Sequence, residues 1–371
     1  MGKRIILMYI SEISGHHSAT IAIEKAIKTL SPETQVMNLN AFNYTNPISE
    51  KVVNRLYMTV IKRIPRIWDY LYDNPKVVKS LGSIKELLHK QNSIKFKRLF
   101  DQFQPDVVAC SQAFPCGMVA DFKQIYRSNM PLVAVLTDYV PHLYWIYNQV
   151  NYYVVPSSEV GDKLSQRGVP IQKIKPFGIP CDPKFSYSLD KDKICRDLGL
   201  NPKVFTILIM GGGQGLGPIK TIISSLEKLD LPVQSIVIAG SNTKLYKSLR
   251  KKSAKSKHKM LVFGYANNIH EFMTVSDIII TKPGGITTSE ALSKSLPMII
   301  IKPIPGQEAN NSAYLVHSKA AIRLDDFKNI NFYIKDFINK PLKIDAMRQA
   351  ANAISRPNSS LDTARLLLDL S

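Results

Sequence analysis

Three groups of residues in this 371-residue chain have the types and spacing to do chemistry, and each lies where an apolar run gives way to a helical pattern. The densest is Ile280-Thr281-Lys282-Pro283-Gly284-Gly285-Ile286-Thr287-Thr288-Ser289-Glu290. Residues 277–280 read as the end of a buried strand, the glycines as a turn suited to residues without a Cβ, and 287–292 as the opening of a helix. A helix start presents backbone N–H groups without partners at the positive end of the macrodipole, so a diphosphate placed there gains hydrogen bonds and favourable charge. Glu290 stands three residues past Thr287. Its carboxylate can accept two hydroxyl donors from a ribose, or it can close a capping box on an ordinary α/β loop.

The second group is Gly211-Gly212-Gly213-Gln214-Gly215-Leu216-Gly217-Pro218, which follows an apolar strand pattern at 204–210. Such a run suits a loop whose backbone approaches phosphate or sugar closely. No Lys-Ser/Thr pair follows, so it is not a Walker loop, and the six-residue dinucleotide fingerprint does not match. Later strands also end in polar loops: Gly240-Ser241-Asn242, then Gly264-Tyr265-Ala266-Asn267-Asn268, whose backbone can hydrogen-bond a base edge, then Pro303 to Asn311. Together these loops describe a nucleotide site at one sheet edge.

The third group lies near the start. Between a strand pattern at 3–9 and a helical one at 18–30 stands Ser11-Glu12-Ile13-Ser14-Gly15-His16-His17-Ser18, which puts His16 or His17 at the carboxyl edge of a sheet, where open α/β folds bind ligands. A neutral histidine there can take a proton from an alcohol; it can equally cap the helix. A further strand at 132–137 leads into Asp138, His142 and Trp145. These are either acceptor-handling groups or an Asx turn with core aromatics.

The elements that must position these residues alternate strand and helix, the pattern of parallel, doubly wound sheets. The length suits two domains, and the turn-formers at 177–183 mark a linker. The expected division is 1–180, 181–345, and closing helices over 346–371 that pack back across both domains. No run approaches the roughly 20 apolar residues needed to span a bilayer, and residues 1–10 read as a first strand rather than a signal peptide. Cys110, Cys116, Cys181 and Cys195 are scattered without zinc or disulfide spacing, which points to reducing cytosol.

A net charge of +20 must face something anionic. Between Glu50 and Arg98, twelve Lys or Arg stand against four Asp or Glu, interleaved with Trp68, Tyr70, Leu71 and Tyr72. That segment is either a basic amphipathic surface for an anionic bilayer or a solvated helical pair packed on its domain. A second basic run, Arg250 to Lys259, adds to the charged surface.

The combination of motifs resembles the monogalactosyldiacylglycerol synthases and the related bacterial diacylglycerol glucosyltransferases of glycosyltransferase family 28. The likeness is carried by Ser14-Gly15-His16, Thr137-Asp138 with His142 and Trp145, Phe177-Gly178-Ile179-Pro180, the Gly211 to Gly217 loop, Lys282-Pro283-Gly284-Gly285 with Thr287 and Glu290, and Pro305-Gly306-Gln307-Glu308 with Asn311. The first loop departs from the family, which often has two or three glycines where this chain reads Ile13-Ser14-Gly15-His16. The resemblance implies an α/β GT-B fold, two Rossmann-like doubly wound parallel-sheet domains facing a central cleft, shared with the N-acetylglucosaminyl transferase of peptidoglycan lipid-intermediate synthesis.

Carried over by position, the resemblance makes His16 the base on the acceptor hydroxyl, with Asp138 beside it and Gly15, His142 and Trp145 about the acceptor. The donor UDP-sugar would be held by Gly212, Gly213, Gln214, Asn242, Tyr265, Gly285, Ile286, Thr287, Glu290, Gln307, Glu308 and Asn311. Within that set, Glu290 takes the ribose, the Tyr265 backbone the uracil, the loops at Gly213, Gly285 and Thr287 the diphosphate, and Gln307 with Glu308 the sugar hydroxyls. The implied activity is inverting transfer of a hexose from UDP-glucose or UDP-galactose to diacylglycerol at an anionic phospholipid surface. The enzyme would be cytoplasmic, attached peripherally to the inner face of the cell membrane, and a monomer or homodimer. No Asp-x-Asp metal motif stands in a suitable loop, so neither metal nor other cofactor is expected. Alternatives are a UDP-GlcNAc transferase to a polyprenyl or lipopolysaccharide-type acceptor, and a UDP-sugar epimerase of the same fold. Nucleic-acid binding would account for the charge but leaves the glycine loops and Glu290 without a role, and no nucleic acid is expected as a partner.

Overall fold

A computed structural model describes residues 2–12, 14–45 and 95–371. The basic segment from Glu50 onward lies outside the described residues, apart from its last four positions, which are helical. The described residues fall into two compact units: one within Met1–Pro183, Ile304–Gln307 and Arg356–Ser371, the other within Lys184–Pro303 and Glu308–Ser355.

Unit 1 is built on β1 (Arg4–Tyr9), β2 (Gln35–Asn40), β3 (Val107–Cys110), β4 (Leu132–Val135), β5 (Tyr152–Val154) and β6 (Ile174–Lys175), in the order β2-β1-β3-β4-β5-β6. Every pairing is parallel. A sheet covered on both faces needs strands that are apolar throughout, and β1 supplies Ile5, Ile6, Leu7 and Met8, all fully buried. Alternate residues feed opposite cores. Ile5 and Leu7 pack with Ile23 and Ile27 of the helix Gly15–Leu30 and Leu367 of the helix Ser359–Leu370, while Ile6 and Met8 pack with Met118 and Val119 of the helix Ala113–Tyr126. Each such burial stabilises by roughly 1.5–3 kcal/mol.

Unit 2 is built on β7 (Phe205–Met210), β8 (Val233–Ile238), β9 (Lys259–Phe263), β10 (Ile278–Thr281), β11 (Met298–Ile301) and β12 (Ala321–Leu324), in the order β12-β11-β10-β7-β8-β9, again all parallel. Counted from β7 this is 6-5-4-1-2-3, the dinucleotide-binding order read from its far edge. Asp277 ties the start of β10 to β7: its backbone N–H donates to the Thr206 carbonyl and its Oδ2 accepts from the Thr206 N–H, both at 2.8 Å, while Arg348 donates to Oδ1 at 3.0 Å.

The order of strands decides where each unit can hold a ligand. In open α/β sheets the crevice lies beyond the carboxyl ends of the two neighbouring strands where the winding reverses. Those strands are β1 and β3 in unit 1, and β7 and β10 in unit 2. The loops after β1, β7 and β10 are loops singled out in the sequence; the loop after β3 is not.

Two helix boundaries differ from the sequence reading. The helix expected from 18 begins at Gly15, because Ser14 has extended backbone and its Oγ accepts from the His17 N–H at 3.3 Å. Both histidines therefore stand in a first helical turn rather than in a loop. The helix expected from 287 begins at Gly285, with Gly284 as N-cap at φ −68°. Neither Gly284 nor Gly285 adopts positive φ, so the turn itself does not demand glycine there.

Candidate active site

In unit 1, the helix start after β1 carries His16 toward the loops that follow β3 and β4. His16 Nδ1 lies 2.9 Å from the Ser111 carbonyl oxygen and 2.8 Å from Thr137 Oγ1. A carbonyl can only accept, so Nδ1 must carry the proton, and the lone pair of the neutral ring is then on Nε2. Nε2 makes no hydrogen bond among the described residues. Burial holds the His16 pKa below the ordinary histidine value, with the Asp138 charge and the Ser111 carbonyl pulling it partway back. The ring is thus neutral near pH 7 and fixed in one tautomer.

His17 points to different partners. Its ring stacks on Tyr9 at 4.1 Å between centroids, and Nδ1 donates to the Glu12 carbonyl at 2.9 Å. The Glu12 carboxylate in turn accepts from Tyr9 Oη at 2.9 Å. His142 sits against Trp145 and Tyr144, with ring centroids 5.9 and 5.8 Å away. Desolvation, then the neighbouring His16 and Arg167, push its pKa down to about 4. Trp145 is buried in the unit 1 core and supports His142 from below, while Gly15 is exposed at the helix start. Ser111 and Thr137 were not singled out as site residues from the sequence. Ser111 acts through its carbonyl, which any residue type supplies, so only topology exposes it.

In unit 2, the glycines sort into two kinds. A Cβ on Gly211 would lie 1.9 Å from the Leu216 oxygen, one on Gly215 2.1 Å from the Ala239 oxygen, and one on Gly240 2.3 Å from the Gly213 oxygen. These three, with Gly215 and Gly240 also at positive φ, are demanded by the packing of the loops on each other. Gly212 is demanded by its φ of +69°. Gly213 and Gly284 are different: neither has positive φ, and nothing lies within 4 Å of where a Cβ would be. Glycine at such a place leaves room for something outside the fold to approach the main chain.

The Gly285–Ser293 helix opens beside that space. Its first amides, on Gly285, Ile286 and Thr287, precede the first in-helix bond, from Thr288 N–H to the Gly284 carbonyl at 3.0 Å, and accordingly face outward as donors. Thr288 Oγ1 turns back to the Gly284 and Gly285 carbonyls at 3.0 and 2.9 Å. Glu290 lies partly exposed in the next turn. After β9, Tyr265 is 75% exposed. Gln214 lies in the β7 loop. Asn242 is engaged as a cap, its Oδ1 accepting from the Leu245 N–H at 2.9 Å.

The helix Gln307–His317 follows β11 and brings Glu308 and Asn311 to the β10 loop. Glu308 pairs with Lys282, Oε1 to Nζ at 2.8 Å, and Asn311, fully buried, donates from Nδ2 to the Pro283 carbonyl at 3.1 Å. Gln307 begins the helix and is partly exposed. The Asn311 Nδ2 is thereby engaged with the loop.

Comparison with known proteins bears on the family and the fold. The family model described as monogalactosyldiacylglycerol (MGDG) synthase matches residues 16–181, and the glycosyltransferase family 28 C-terminal domain matches residues 206–362. The processive diacylglycerol beta-glucosyltransferase of Bacillus subtilis (strain 168) is 29% identical over 363 residues, covering 96% of this chain and 93% of the relative. That of Bacillus pumilus (strain SAFR-032) is 28% identical over 362 residues, covering 96% and 92%. Among solved structures, Acinetobacter baumannii MurG superposes with a TM-score of 0.66 at 14% identity over 99% of both chains. The UDP-GlcNAc 2-epimerase from Neisseria meningitidis bound to UDP-GlcNAc gives 0.62 at 14% identity, covering 99% and 100%. At that identity the structures establish the fold, which is GT-B. With one family model on each unit and relatives matched along nearly the whole length, the chain belongs to the monogalactosyldiacylglycerol synthase and diacylglycerol glucosyltransferase family and is a UDP-sugar-dependent glycosyltransferase of family 28.

Proposed function

We propose that this enzyme transfers glucose from UDP-glucose to the free hydroxyl of diacylglycerol with inversion at the anomeric carbon, using His16 as general base. The observation that carries the reading is the tautomer lock: Ser111 holds the proton on Nδ1, so Nε2 is the basic nitrogen. In the reaction, Nε2 takes the acceptor proton as the hydroxyl oxygen attacks the anomeric carbon from the face opposite the phosphate. The anomeric carbon–oxygen bond breaks and its electron pair leaves on UDP. The amides of Gly285, Ile286 and Thr287 stabilise the charge that grows on the diphosphate, with Glu290 on the ribose hydroxyls and Gln307 with Glu308 at the hexose. Glucose as donor is favoured by the relatives' names.

We further place the enzyme on the inner face of an anionic membrane. Diacylglycerol lies in the bilayer, the net charge is +20, and no helix among the described residues is long and apolar enough to cross a membrane. The exposed Lys244, Lys247, Arg250 and Lys251 add a cationic helix face with affinity for lipid phosphate.

The test is UDP release from UDP-glucose and from UDP-galactose, with diacylglycerol in vesicles with and without anionic lipid. Release that requires diacylglycerol, prefers UDP-glucose and increases with anionic lipid supports each part in turn. Release at the same rate without acceptor would overturn the transfer reaction, and equal rates on neutral vesicles would overturn the anionic surface.

A further inference from the structure

The contact between Lys282 and Glu308 has a consequence for how the donor sugar is selected. Lys282 is the first residue after β10, and its Nζ lies 2.8 Å from Glu308 Oε1; the two side chains are only 12% and 21% exposed. In so sheltered a place a charge-assisted hydrogen bond is short and directional, so the ammonium fixes where the Glu308 carboxylate stands. One turn further along the same helix, fully buried Asn311 donates to the Pro283 carbonyl at 3.1 Å. Residues three apart on a helix share a face. The first two turns of Gln307–His317 are therefore stapled to the β10 loop at two successive points, one ionic and one neutral.

The two staples reach different parts of the donor site. Asn311 holds the loop that leads into the Gly285 amides, where the diphosphate is placed. Lys282 holds the Glu308 carboxylate, which is placed on the hexose. We propose that Lys282 is a positioning residue for the sugar: it fixes Glu308 for the hexose hydroxyls and makes no direct contact with the diphosphate, whereas Asn311 positions the diphosphate loop. This inference rests on the donor assignments above. It divides the donor's affinity between two residues that neither touch it nor belong to the same contact.

The experiment is calorimetric titration of UDP and of UDP-glucose into the full-length protein and its Lys282→Met, Lys282→Arg, Glu308→Gln, Lys282→Met/Glu308→Gln and Asn311→Leu variants, with melting curves for each. Lys282→Met is expected to weaken UDP-glucose about tenfold or more, the loss of one charge-assisted hydrogen bond, while UDP changes less than about twofold. Lys282→Arg should restore most of the loss, and the double variant should bind UDP-glucose no more weakly than Glu308→Gln alone. Asn311→Leu should weaken UDP and UDP-glucose equally. Equal losses of UDP and UDP-glucose in Lys282→Met would overturn the proposal by placing the cation on the diphosphate. Additive losses in the double variant, or unchanged UDP-glucose binding in Lys282→Met, would overturn it as well. Wild-type protein that binds UDP-glucose while Glu308→Gln binds it undiminished would instead remove Glu308 from the donor site, a failure of the underlying assignment.

Discussion

In the proposed reaction the chemistry at the β1/β3 edge of unit 1 rests on a side chain, His16, pinned by a carbonyl and a hydroxyl; at the β7/β10 edge of unit 2 it rests on the main chain, on amides at a helix start and on glycines that leave them accessible. Both edges are the winding-reversal points of parallel sheets of the same size. One scaffold thus supports two kinds of site. A proton must be accepted at a defined atom, which needs a titratable ring in one tautomer. A diphosphate needs several donors at once, which a helix start supplies without any particular side chain. The difference predicts that unit 1 should be sensitive to residue identity, and unit 2 to the presence of a Cβ.

The largest expected effect is therefore His16→Ala. Loss of a positioned general base should lower kcat by about 10²- to 10⁴-fold, while UDP binding, which belongs to the other unit, changes less than about twofold. His17→Ala, which breaks the Tyr9 stack and not the tautomer lock, should cost less than about tenfold. Steady-state kinetics of the pair, read beside UDP titration, decide the matter; equal losses in the two variants would remove His16 from its role as base.

The glycines sharpen the other half of the comparison. Gly213→Ala and Gly284→Ala add a methyl where the fold has open space and φ is negative, so melting should change little, but the methyl occupies the ligand's approach and UDP affinity should fall about tenfold. Gly215→Ala should do the reverse at the level of the fold. Its Cβ meets the Ala239 oxygen at 2.1 Å with φ at +59°, a strain of order 1–3 kcal/mol or more, visible as a melting temperature lowered by several degrees. Undiminished UDP binding in both Gly213→Ala and Gly284→Ala would break the argument that those spaces serve the ligand.

These residues also show what was legible in the sequence. The strands read directly because both faces of each sheet are covered, so runs such as Ile5 to Met8 and Ile278 to Ile280 have no polar break. The strand order, and with it which loops meet at the reversal points, is set by long-range pairing and becomes visible only in the fold. The glycine motifs were visible as a group, yet the sequence cannot separate Gly215, required by packing, from Gly284, which packing does not require. Ser111 was invisible because its contact with His16, across 95 positions, uses a carbonyl. Among the amides singled out, Asn242 accepts through Oδ1 to cap a helix and Asn311 donates through Nδ2 to hold a loop. Such contacts have a direction, and composition carries none.

A smaller effect is expected from Thr137→Val, which keeps the volume and removes the Oγ1 that lies 2.8 Å from His16 Nδ1. Ser111 still holds the proton on Nδ1, so the tautomer survives and the ring only gains freedom. A fall in kcat of about three- to tenfold, without change in UDP affinity, would fit a hydroxyl that orients the ring. A loss as large as that of His16→Ala would mean that the Ser111 carbonyl alone does not set the tautomer.

The finest test is the pH profile, because it reads the sign of the forces on His16. A base must be unprotonated to act, so kcat/KM should rise with pH through the His16 pKa and level off above it. Burial disfavours the imidazolium, which puts that midpoint below the ordinary value of about 6.5, and the Asp138 carboxylate works against the shift by favouring the charged ring. His142, already pushed down to about 4, stays neutral across the range and adds no second limb near neutrality. Removing the opposing charge in Asp138→Asn should therefore move the midpoint further down, so that the variant keeps a larger fraction of its plateau rate at pH 5.5 than the wild type does. A limb that moved up would mean that Asp138 acts on His16 through something other than its charge, and an unmoved limb would assign the titration to another group.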